Sequence, residues 1–318
     1  MRRFRMLALG ASVLALMVSA CTTGGGASSS PSASSAASAS QAATLPTVII
    51  GSADFYESAL VGEIYAQALE AKGFTVDRKF NLGARTITNA ALTSGQINLM
   101  PEYLGYEAAE LKATATGDPA ATKTALDAAL DPMGLTSLDY APGSDQNGFA
   151  VRKETANTMN LTTMSDAAKV ADQLKWGLPP ECGTNAGCGQ ALKDKYGIDI
   201  NATGFQWVKL SPCSSQMAVA LNSGTVDVAE LCTTQPDIAQ FNFVLLTDDK
   251  QSQVAGNLIP VLTKSLATAG GSTLADTLNA VSAKLTTDSL TQMGVKVSVD
   301  KQNAADVARQ FLTDNGLL

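Results

Sequence analysis

The chain has 318 residues, of which 45% are hydrophobic, 16% charged and 5% aromatic, with 22 basic against 29 acidic side chains. This composition is typical of one or two packed globular domains and excludes a disordered or collagen-like chain. Histidine is absent, which excludes Ser/His and Cys/His nucleophile pairs, and the net charge of −7 disfavours binding to nucleic acid.

The first twenty residues have the pattern of a secretory signal peptide. Three arginines precede an apolar stretch, residues 6–20, that is too short for a permanent membrane helix. It ends in Val18-Ser19-Ala20-Cys21, which resembles the bacterial lipobox, where the cysteine is diacylated and becomes the first mature residue. We expect residues 1–20 to be a lipoprotein signal peptide and Cys21 to carry the lipid. An unmodified Cys21 after an ordinary cleavage site is the alternative.

The next segment, residues 21–45, has the composition of a tether. After Cys21 it is almost entirely Ser, Ala, Thr and Gly, with one proline and no charge. Such a segment cannot bury enough apolar surface to order itself. We therefore expect an extracytoplasmic protein, anchored to the cell membrane by lipid through a disordered tether.

The folded part begins with a strand, a helix and a second strand. A β-branched run predicts a strand over residues 47–51, and residues 57–72 have a helical pattern that Gly73 ends. Residues 75–80 are the next strand. This order indicates an α/β fold with a largely parallel sheet. Further helices are predicted near residues 85–94, 120–130, 164–174, 190–196, 214–223 and 271–284.

One internal repeat indicates two similar lobes. Residues 91–99 (ALTSGQINL) are matched by residues 220–228 (ALNSGTVDV). In both, a helix is expected to end at a left-handed glycine cap, Gly95 or Gly224, with a strand starting two residues later. A coincidence of two common units is the alternative. Two such lobes would face each other across a crevice where α/β folds bind small ligands.

Four cysteines follow Cys21, an even number in an oxidising compartment. Three pairings are possible, and we favour Cys182 with Cys188 and Cys213 with Cys232, because each pair flanks a short unit. Four buried thiols are the alternative. A metal site is disfavoured because neither spacing is Cys-x-x-Cys and no histidine is available.

Seven separated motifs then point to a family. In chain order they are Ile50-Gly51-Ser52-Ala53-Asp54-Phe55-Tyr56-Glu57, Asn81-Leu82-Gly83-Ala84-Arg85-Thr86, the segment from Ala91 to Pro101-Glu102-Tyr103-Leu104-Gly105, Phe149-Ala150-Val151-Arg152-Lys153, Tyr196-Gly197, Gly224-Thr225-Val226-Asp227-Val228 and Leu245-Leu246-Thr247-Asp248-Asp249. Their order, between about residues 48 and 262, resembles that of the solute-binding proteins of ABC importers for glycine betaine, choline, carnitine and related osmoprotectants.

The resemblance implies a two-lobed type II periplasmic-binding fold with a ligand cleft between the lobes. Lobe I would comprise residues 46–142 and 252–318, and lobe II residues 143–251. The implied function is to capture a small solute, such as a glycine betaine- or choline-like quaternary amine, and to deliver it to ABC permease subunits. The protein would be a monomer, not an enzyme, with no cofactor or metal. The same fold binding a more polar, non-quaternary solute is the alternative, as is a non-transport surface lipoprotein.

The family's ligand site is a box of tyrosine faces around a quaternary ammonium group, which aromatic quadrupoles attract. Tyr103 matches one tyrosine of that box and Phe55 the cleft-facing phenylalanine. Asn147 and Cys232 stand where two further tyrosines are expected, and Asn185 where a carboxylate-binding arginine is expected. The resemblance therefore implies a ligand site that departs from the aromatic box.

Other residues are candidates to complete this site. Tyr56 and Tyr106 replace threonines of the family pattern and would add aromatic surface, with plain packing as the alternative. Asp54 is the expected N-cap of the first helix, whose turn would line the cleft. Arg85 is a candidate partner for a ligand carboxylate, next to Thr86 at the end of its motif, with an exposed arginine at a helix start as the alternative. Thr233 is a candidate hydroxyl donor, with a surface turn as the alternative.

Overall fold

A computed structural model of the chain describes residues 45–318. The expected signal peptide, Cys21 and nearly all of the expected tether lie outside these residues. Within the described part, no helix has both the length and the apolar character needed to cross a bilayer.

The strands form two separate sheets of five. The first sheet contains β1 (Val48–Gly51), β2 (Val76–Lys79), β3 (Leu99–Tyr103), β4 (Leu135–Ser137) and β10 (Leu258–Thr263). The second contains β5 (Asn147–Val151), β6 (Trp176–Leu178), β7 (Trp207–Lys209), β8 (Val228–Cys232) and β9 (Val244–Leu246). We call the first sheet with its helices lobe I and the second lobe II. The expected α/β fold with two lobes is confirmed.

The two sheets have equivalent strand orders, β2-β1-β3-β10-β4 and β7-β6-β8-β5-β9. In the first, β1 pairs in parallel with β2 and β3, and β10 lies antiparallel between β3 and β4. In the second, β5 is the antiparallel strand, between β8 and β9. The expected parallel sheet is therefore interrupted in each lobe by one reversed strand, which follows a segment crossing between lobes.

Helices cover both sheets. Those of lobe I are α1 (Tyr56–Ala71), α2 (Arg85–Thr93), α3 (Leu104–Glu110), α4 (Pro119–Leu130), α10 (Lys264–Ser282), α11 (Thr287–Gly294) and α12 (Ala304–Asp314). Those of lobe II are α5 (Lys153–Met159), α6 (Met164–Ala168), α7 (Ala191–Tyr196), α8 (Ser215–Asn222) and α9 (Pro236–Gln240).

Two helix predictions differ from the structure. The helix expected over residues 164–174 ends at Ala168, and a separate 3-10 turn spans Ala171–Gln173. The helix expected from residue 271 is the second part of α10, which begins at Lys264 and kinks at Gly271, where φ is +57°. Glycine tolerates this positive φ, and two helical segments of α10 meet there at a kink.

The internal repeat occupies equivalent places in the two lobes. Helices α2 and α8 are each followed by a left-handed glycine, Gly95 and Gly224, both with φ of +76°. The strands β3 and β8 start at Leu99 and Val228, four residues after these glycines and not two. The repeated sequence thus specifies the turn between a helix and the central strand of each sheet.

Each sheet is packed on both faces, because successive side chains of a strand point in opposite directions. In β10, Leu258 and Leu262 join the core beneath α1, whereas Ile259 and Val261 join the core beneath α3 and α4. All four are fully buried. The sheets are therefore closely packed, and their strand ends position the loops between the lobes.

Two crossing segments connect the lobes, before β5 and before β10. They pair with each other at Ser144 and Asn257, and the amide of Asp145 donates a 2.9 Å hydrogen bond to the carbonyl of Gly256. A Cβ on Gly256 would collide with the Asp145 carbonyl, so this close approach requires glycine.

Candidate functional site

Two cavities of similar size are lined by residues of the crossing segments. One, of about 350 Å³, is lined by Phe55, Tyr56 and Glu57 of lobe I and by Asp145, Gln235 and Asp237 across from them. The other, of about 340 Å³, is lined by Gln146, Asn147, Thr233, Gln253 and Asn257, among others. We call the first the acidic cavity and the second the amide cavity. Both are large enough for a small solute.

Glu57 is the central residue of the acidic cavity. It lies in the first turn of α1, is only 2% exposed, and its Oε1 accepts a 2.5 Å hydrogen bond from the Tyr103 hydroxyl. Burial, and then the nearby charge of Asp145, raise the pKa of Glu57 to about 8, against the opposing effect of the Tyr103 and Thr234 hydroxyls. This raised pKa favours the protonated form of Glu57 near neutral pH, whereas an adjacent cation would favour the ionised form.

The opposite wall of the acidic cavity carries further oxygen atoms. Asp145 accepts a long 3.4 Å hydrogen bond from the amide of Thr234, and burial raises the pKa of the Asp145 carboxyl. The side-chain amide of Gln235 donates a 2.8 Å hydrogen bond to Asp237 Oδ2. Three carboxyl groups thus surround one cavity, and no Lys or Arg is among its described lining residues. This electrostatic environment favours a positively charged ligand.

Aromatic rings form the lobe I side of this cavity. The ring centroid of Tyr103 lies 5.9 Å from that of Phe55 and 6.5 Å from that of Tyr106. Phe55 is 40% exposed, whereas Tyr103 is only 4% exposed. Tyr56 lines the cavity beside Gly294 of α11, where an added Cβ would lie 2.8 Å from the Tyr56 hydroxyl oxygen. Phe55 and Tyr56 therefore present aromatic surface to the cavity, which Tyr103 and Tyr106 do not line.

Arg85 is bound to carboxylates of lobe I. Its Nε lies 2.9 Å from Glu102 Oε2 and 3.6 Å from Glu107 Oε2, and its guanidinium lies 5.8 Å from the centroid of Tyr106. Asn89 donates a 3.2 Å hydrogen bond to Glu107. Burial, and then the charge of Glu102, raise the pKa of Glu107 to about 8. The two buried glutamates thus hold Arg85, which lines neither cavity.

The remaining predicted site residues are dispersed. Asn147 and Thr233 line the amide cavity, where the Thr233 hydroxyl donates a 2.7 Å hydrogen bond to the Ser144 carbonyl. Thr86 and Asp54 are exposed and line neither cavity. The predicted N-cap role of Asp54 is wrong: α1 begins at Tyr56, so its N-cap is Phe55, which has no side-chain acceptor.

Both disulfides form with the pairing favoured from the sequence, Cys182 with Cys188 and Cys213 with Cys232. The second bridge lines the acidic cavity. Beside the first, Glu230 Oε2 lies 2.9 Å from Cys188 Sγ, and burial raises the pKa of Glu230 to about 7. These three side chains lie close enough to share a metal ion. Because the sulfurs are bonded to each other, neither is a thiolate ligand.

Sequence reasoning missed four residues of the acidic cavity: Glu57, Asp145, Gln235 and Asp237. An acid in the first turn of a helix or in a Gly-Ser-Asp turn usually faces solvent, so neither pattern marks a buried carboxyl. The available signal was that Glu57 closes the motif that contains Phe55 and Tyr56. The other three lie in segments whose proximity depends on the crossing between the lobes.

Two sheet-based lobes, joined by crossing segments with a ligand-sized cavity between them, define the class of extracytoplasmic solute-binding proteins. The family model for the substrate binding domain of ABC-type glycine betaine transport systems matches residues 46–314. The chain belongs to this family. It is a solute-binding transport protein and not an enzyme, as expected from the sequence motifs.

Individual relatives are similar over nearly the whole folded part. The glycine betaine-binding protein YehZ of Escherichia coli K12 is 27% identical over 284 residues, which cover 85% of this chain and 90% of YehZ. The carnitine transport binding protein OpuCC of Listeria monocytogenes is 26% identical over 278 residues, which cover 85% of this chain and 87% of OpuCC.

Solved structures show the same architecture. A crystal structure described as a glycine betaine/carnitine/choline ABC transporter aligns with a TM-score of 0.78 at 25% identity, covering 86% of this chain and 99% of that chain. Apo YehZ from E. coli aligns with a TM-score of 0.77 at 25% identity and the same coverage.

Proposed function

We propose that this protein captures a small organic cation in the acidic cavity and delivers it to the permease of an ABC importer. The observation that carries the proposal is the composition of that cavity. Aromatic surface from Phe55 and Tyr56 faces the carboxyl groups of Glu57, Asp145 and Asp237, and the described lining residues include no basic side chain. Aromatic faces and carboxylates both attract organic ammonium groups.

The relatives agree with this class of ligand, because their names refer to glycine betaine and carnitine, which carry ammonium groups. This chain has fewer groups to bind a ligand carboxylate than the family resemblance implies. Arg85 is held by Glu102 and Glu107, and Asn185 stands where the family resemblance places an arginine. Charge complementarity therefore favours a solute with a net positive charge over a zwitterion.

The cellular setting is part of the proposal. Cys21 would carry the lipid that anchors the protein, residues 21–45 would be the tether, and the mature protein would act as a monomer. Residues 46–142 with 252–318 would move as lobe I, and residues 143–251 as lobe II. Support comes from the lipobox-like sequence before Cys21 and from the strand composition of the two sheets.

A thermal-shift screen of the purified protein tests the ligand class. Choline, carnitine, glycine betaine and small amines would be compared with neutral sugars and dicarboxylates of similar size. A ligand at a hundredfold excess over its Kd stabilises the folded state by about 2.7 kcal/mol. We expect stabilisation by cations. If only sugars or anions stabilised the protein, the proposed ligand class would be wrong.

Lipid attachment has its own test. Mass spectrometry of the protein from bacterial membranes would detect the diacylated Cys21, and Cys21→Ala would release the protein from the membrane fraction. An unmodified, soluble wild-type protein would contradict the anchor without affecting the proposal on the ligand.

A further inference from the structure

Two buried acceptor atoms in the acidic cavity have no hydrogen-bond partner among residues 45–318. They are Glu57 Oε2 in lobe I and Gln235 Oε1 in lobe II. Glu57 is 2% exposed and Gln235 is 7% exposed, and both line the cavity. The Thr234 hydroxyl is near enough to Glu57 to lower its pKa, but its geometry completes no hydrogen bond to Oε2. Buried acceptors without donors are rare in folded proteins and destabilise them.

The orientation of the Gln235 amide is fixed by its neighbour. Its Nε2 donates a 2.8 Å hydrogen bond to Asp237 Oδ2. The opposite orientation would place the carbonyl oxygen of Gln235 against an acceptor oxygen of Asp237. The carbonyl oxygen of Gln235 is therefore the atom without a partner, and it requires a donor. Glu57 Oε2 also requires a donor when its carboxyl group is ionised, the form that an adjacent cation favours.

Two acceptors that lack donors would distinguish between two kinds of cationic ligand. A quaternary ammonium group has no N–H and can satisfy an acceptor only through another part of the molecule. A protonated primary, secondary or tertiary amine has the same charge and donates at least one hydrogen bond. Because leaving a buried acceptor unpaired destabilises a complex, an unpaired acceptor discriminates against the ligand that lacks the donor.

We propose that the acidic cavity selects a small protonated amine with at least one N–H over the quaternary ammonium compound of the same shape. The N–H group would bind between Glu57 Oε2 and Gln235 Oε1 and thereby join the two lobes, while Phe55 and Tyr56 cover the carbon atoms of the ligand. This inference rests on the proposed function, in which the acidic cavity is the solute site.

An N-methylation series tests the inference directly. Ethanolamine, N-methylethanolamine, N,N-dimethylethanolamine and choline keep the hydroxyl and the positive charge, and only choline lacks an N–H. Isothermal titration calorimetry on the purified full chain at pH 7 would give each Kd. We expect choline to bind at least about tenfold more weakly than N,N-dimethylethanolamine, since about 1.4 kcal/mol for one unpaired acceptor corresponds to that factor.

The outcomes separate the two proposals. If choline bound as tightly as its dimethyl analogue or more tightly, selection by N–H would be refuted while capture of an organic cation would stand. If neither this series nor glycine betaine or carnitine bound, the proposed function would fail as well.

Two substitutions test whether Glu57 and Gln235 cause the preference for N,N-dimethylethanolamine over choline. Glu57→Gln replaces one carboxylate oxygen by a donor, so the ratio of the choline Kd to the dimethylethanolamine Kd should fall toward one. Gln235→Met removes the other acceptor without changing charge and should lower the same ratio if Glu57→Gln does not fold. Asp300→Asn is the matched control, because Asp300 is exposed next to the cavity residue Val299 and does not line the cavity. A ratio unchanged in both test variants would refute the assignment.

Discussion

Tyr103, at the end of β3, donates a 2.5 Å hydrogen bond to Glu57 Oε1 in the first turn of α1, and both side chains are almost completely buried. The residue that resembles a tyrosine of the family's aromatic box therefore orients a carboxyl group of the acidic cavity. Its ring still packs against Phe55, which does line the cavity. One tyrosine thus links the aromatic surface to the charge of the site.

Tyr103→Phe should change the pH profile of ligand binding. The hydroxyl of Tyr103 favours the ionised form of Glu57, so its removal should raise the Glu57 pKa above its value of about 8. A cation binds better to the ionised cavity, so affinity should rise with pH in both proteins, with a higher midpoint in the variant. Choline is the suitable probe because its own charge does not titrate. Calorimetry between pH 6 and 9 measures the shift.

Tyr65→Phe is the control for this experiment. The Tyr65 hydroxyl lies 3.2 Å from Ser282 Oγ in the core of lobe I, so its removal also breaks a buried tyrosine contact. The midpoint of choline binding should not move in this variant. An equal shift in both variants would show that the effect comes from general destabilisation and not from the bond to Glu57.

The ligand-free protein should be more stable at pH 5 than at pH 8. Burial raises the pKa of Glu57 and Glu107 to about 8 and that of Glu230 to about 7, all above the values of an unfolded chain. Between pH 5 and 8 the folded state therefore binds more protons than the unfolded state, and the free energy of unfolding falls as pH rises. The loss should be a few kcal/mol, at roughly 1.4 kcal/mol per pKa unit. Urea denaturation at the two pH values measures it.

Glu107→Gln tests the origin of this pH dependence. The amide cannot ionise, and Glu107 lines neither cavity, so ligand binding is not directly altered. The stability of the variant should fall less between pH 5 and pH 8 than that of the wild type. A wild-type protein that became more stable toward pH 8 would contradict the assignment of these buried carboxyl groups.

More of the fold than of the site was predictable from the sequence. The turns of the fold depend on residues close together in the chain, whereas the site depends on residues far apart in the chain. Local patterns such as Gly95 and Gly224 after their helices specify the turns of both lobes. The pairing of Asp145 with Gly256, in contrast, joins segments over a hundred residues apart, and no local pattern encodes it. The ion pairs of Arg85 were unpredictable for the same reason, because its sequence position gives no sign that Glu102 and Glu107 lie next to it.

Arg85→Met should destabilise the protein much more than it weakens ligand binding. The substitution leaves Glu102 and Glu107 buried without their cation, for which we expect a loss of about 3 kcal/mol at pH 8. Lys264→Met is the comparison, and its loss should be smaller because Lys264 and its partner Asp131 are both exposed to solvent. Chemical denaturation measures both. Unchanged stability with a greater than tenfold loss of glycine betaine affinity would instead identify Arg85 as a ligand residue.

The two disulfides should stabilise the fold unequally. Cys182 and Cys188 are separated by 6 positions and Cys213 and Cys232 by 19, so the second bridge restricts the unfolded chain more. The loop-entropy relation gives about 2 kcal/mol for the first and about 3 kcal/mol for the second. Urea denaturation of the two double-alanine variants measures the difference. Because only the second bridge lines the acidic cavity, its removal should also weaken binding of the cation identified by calorimetry, whereas removal of the first should not. A larger loss of stability or affinity in the Cys182→Ala, Cys188→Ala variant would contradict both expectations.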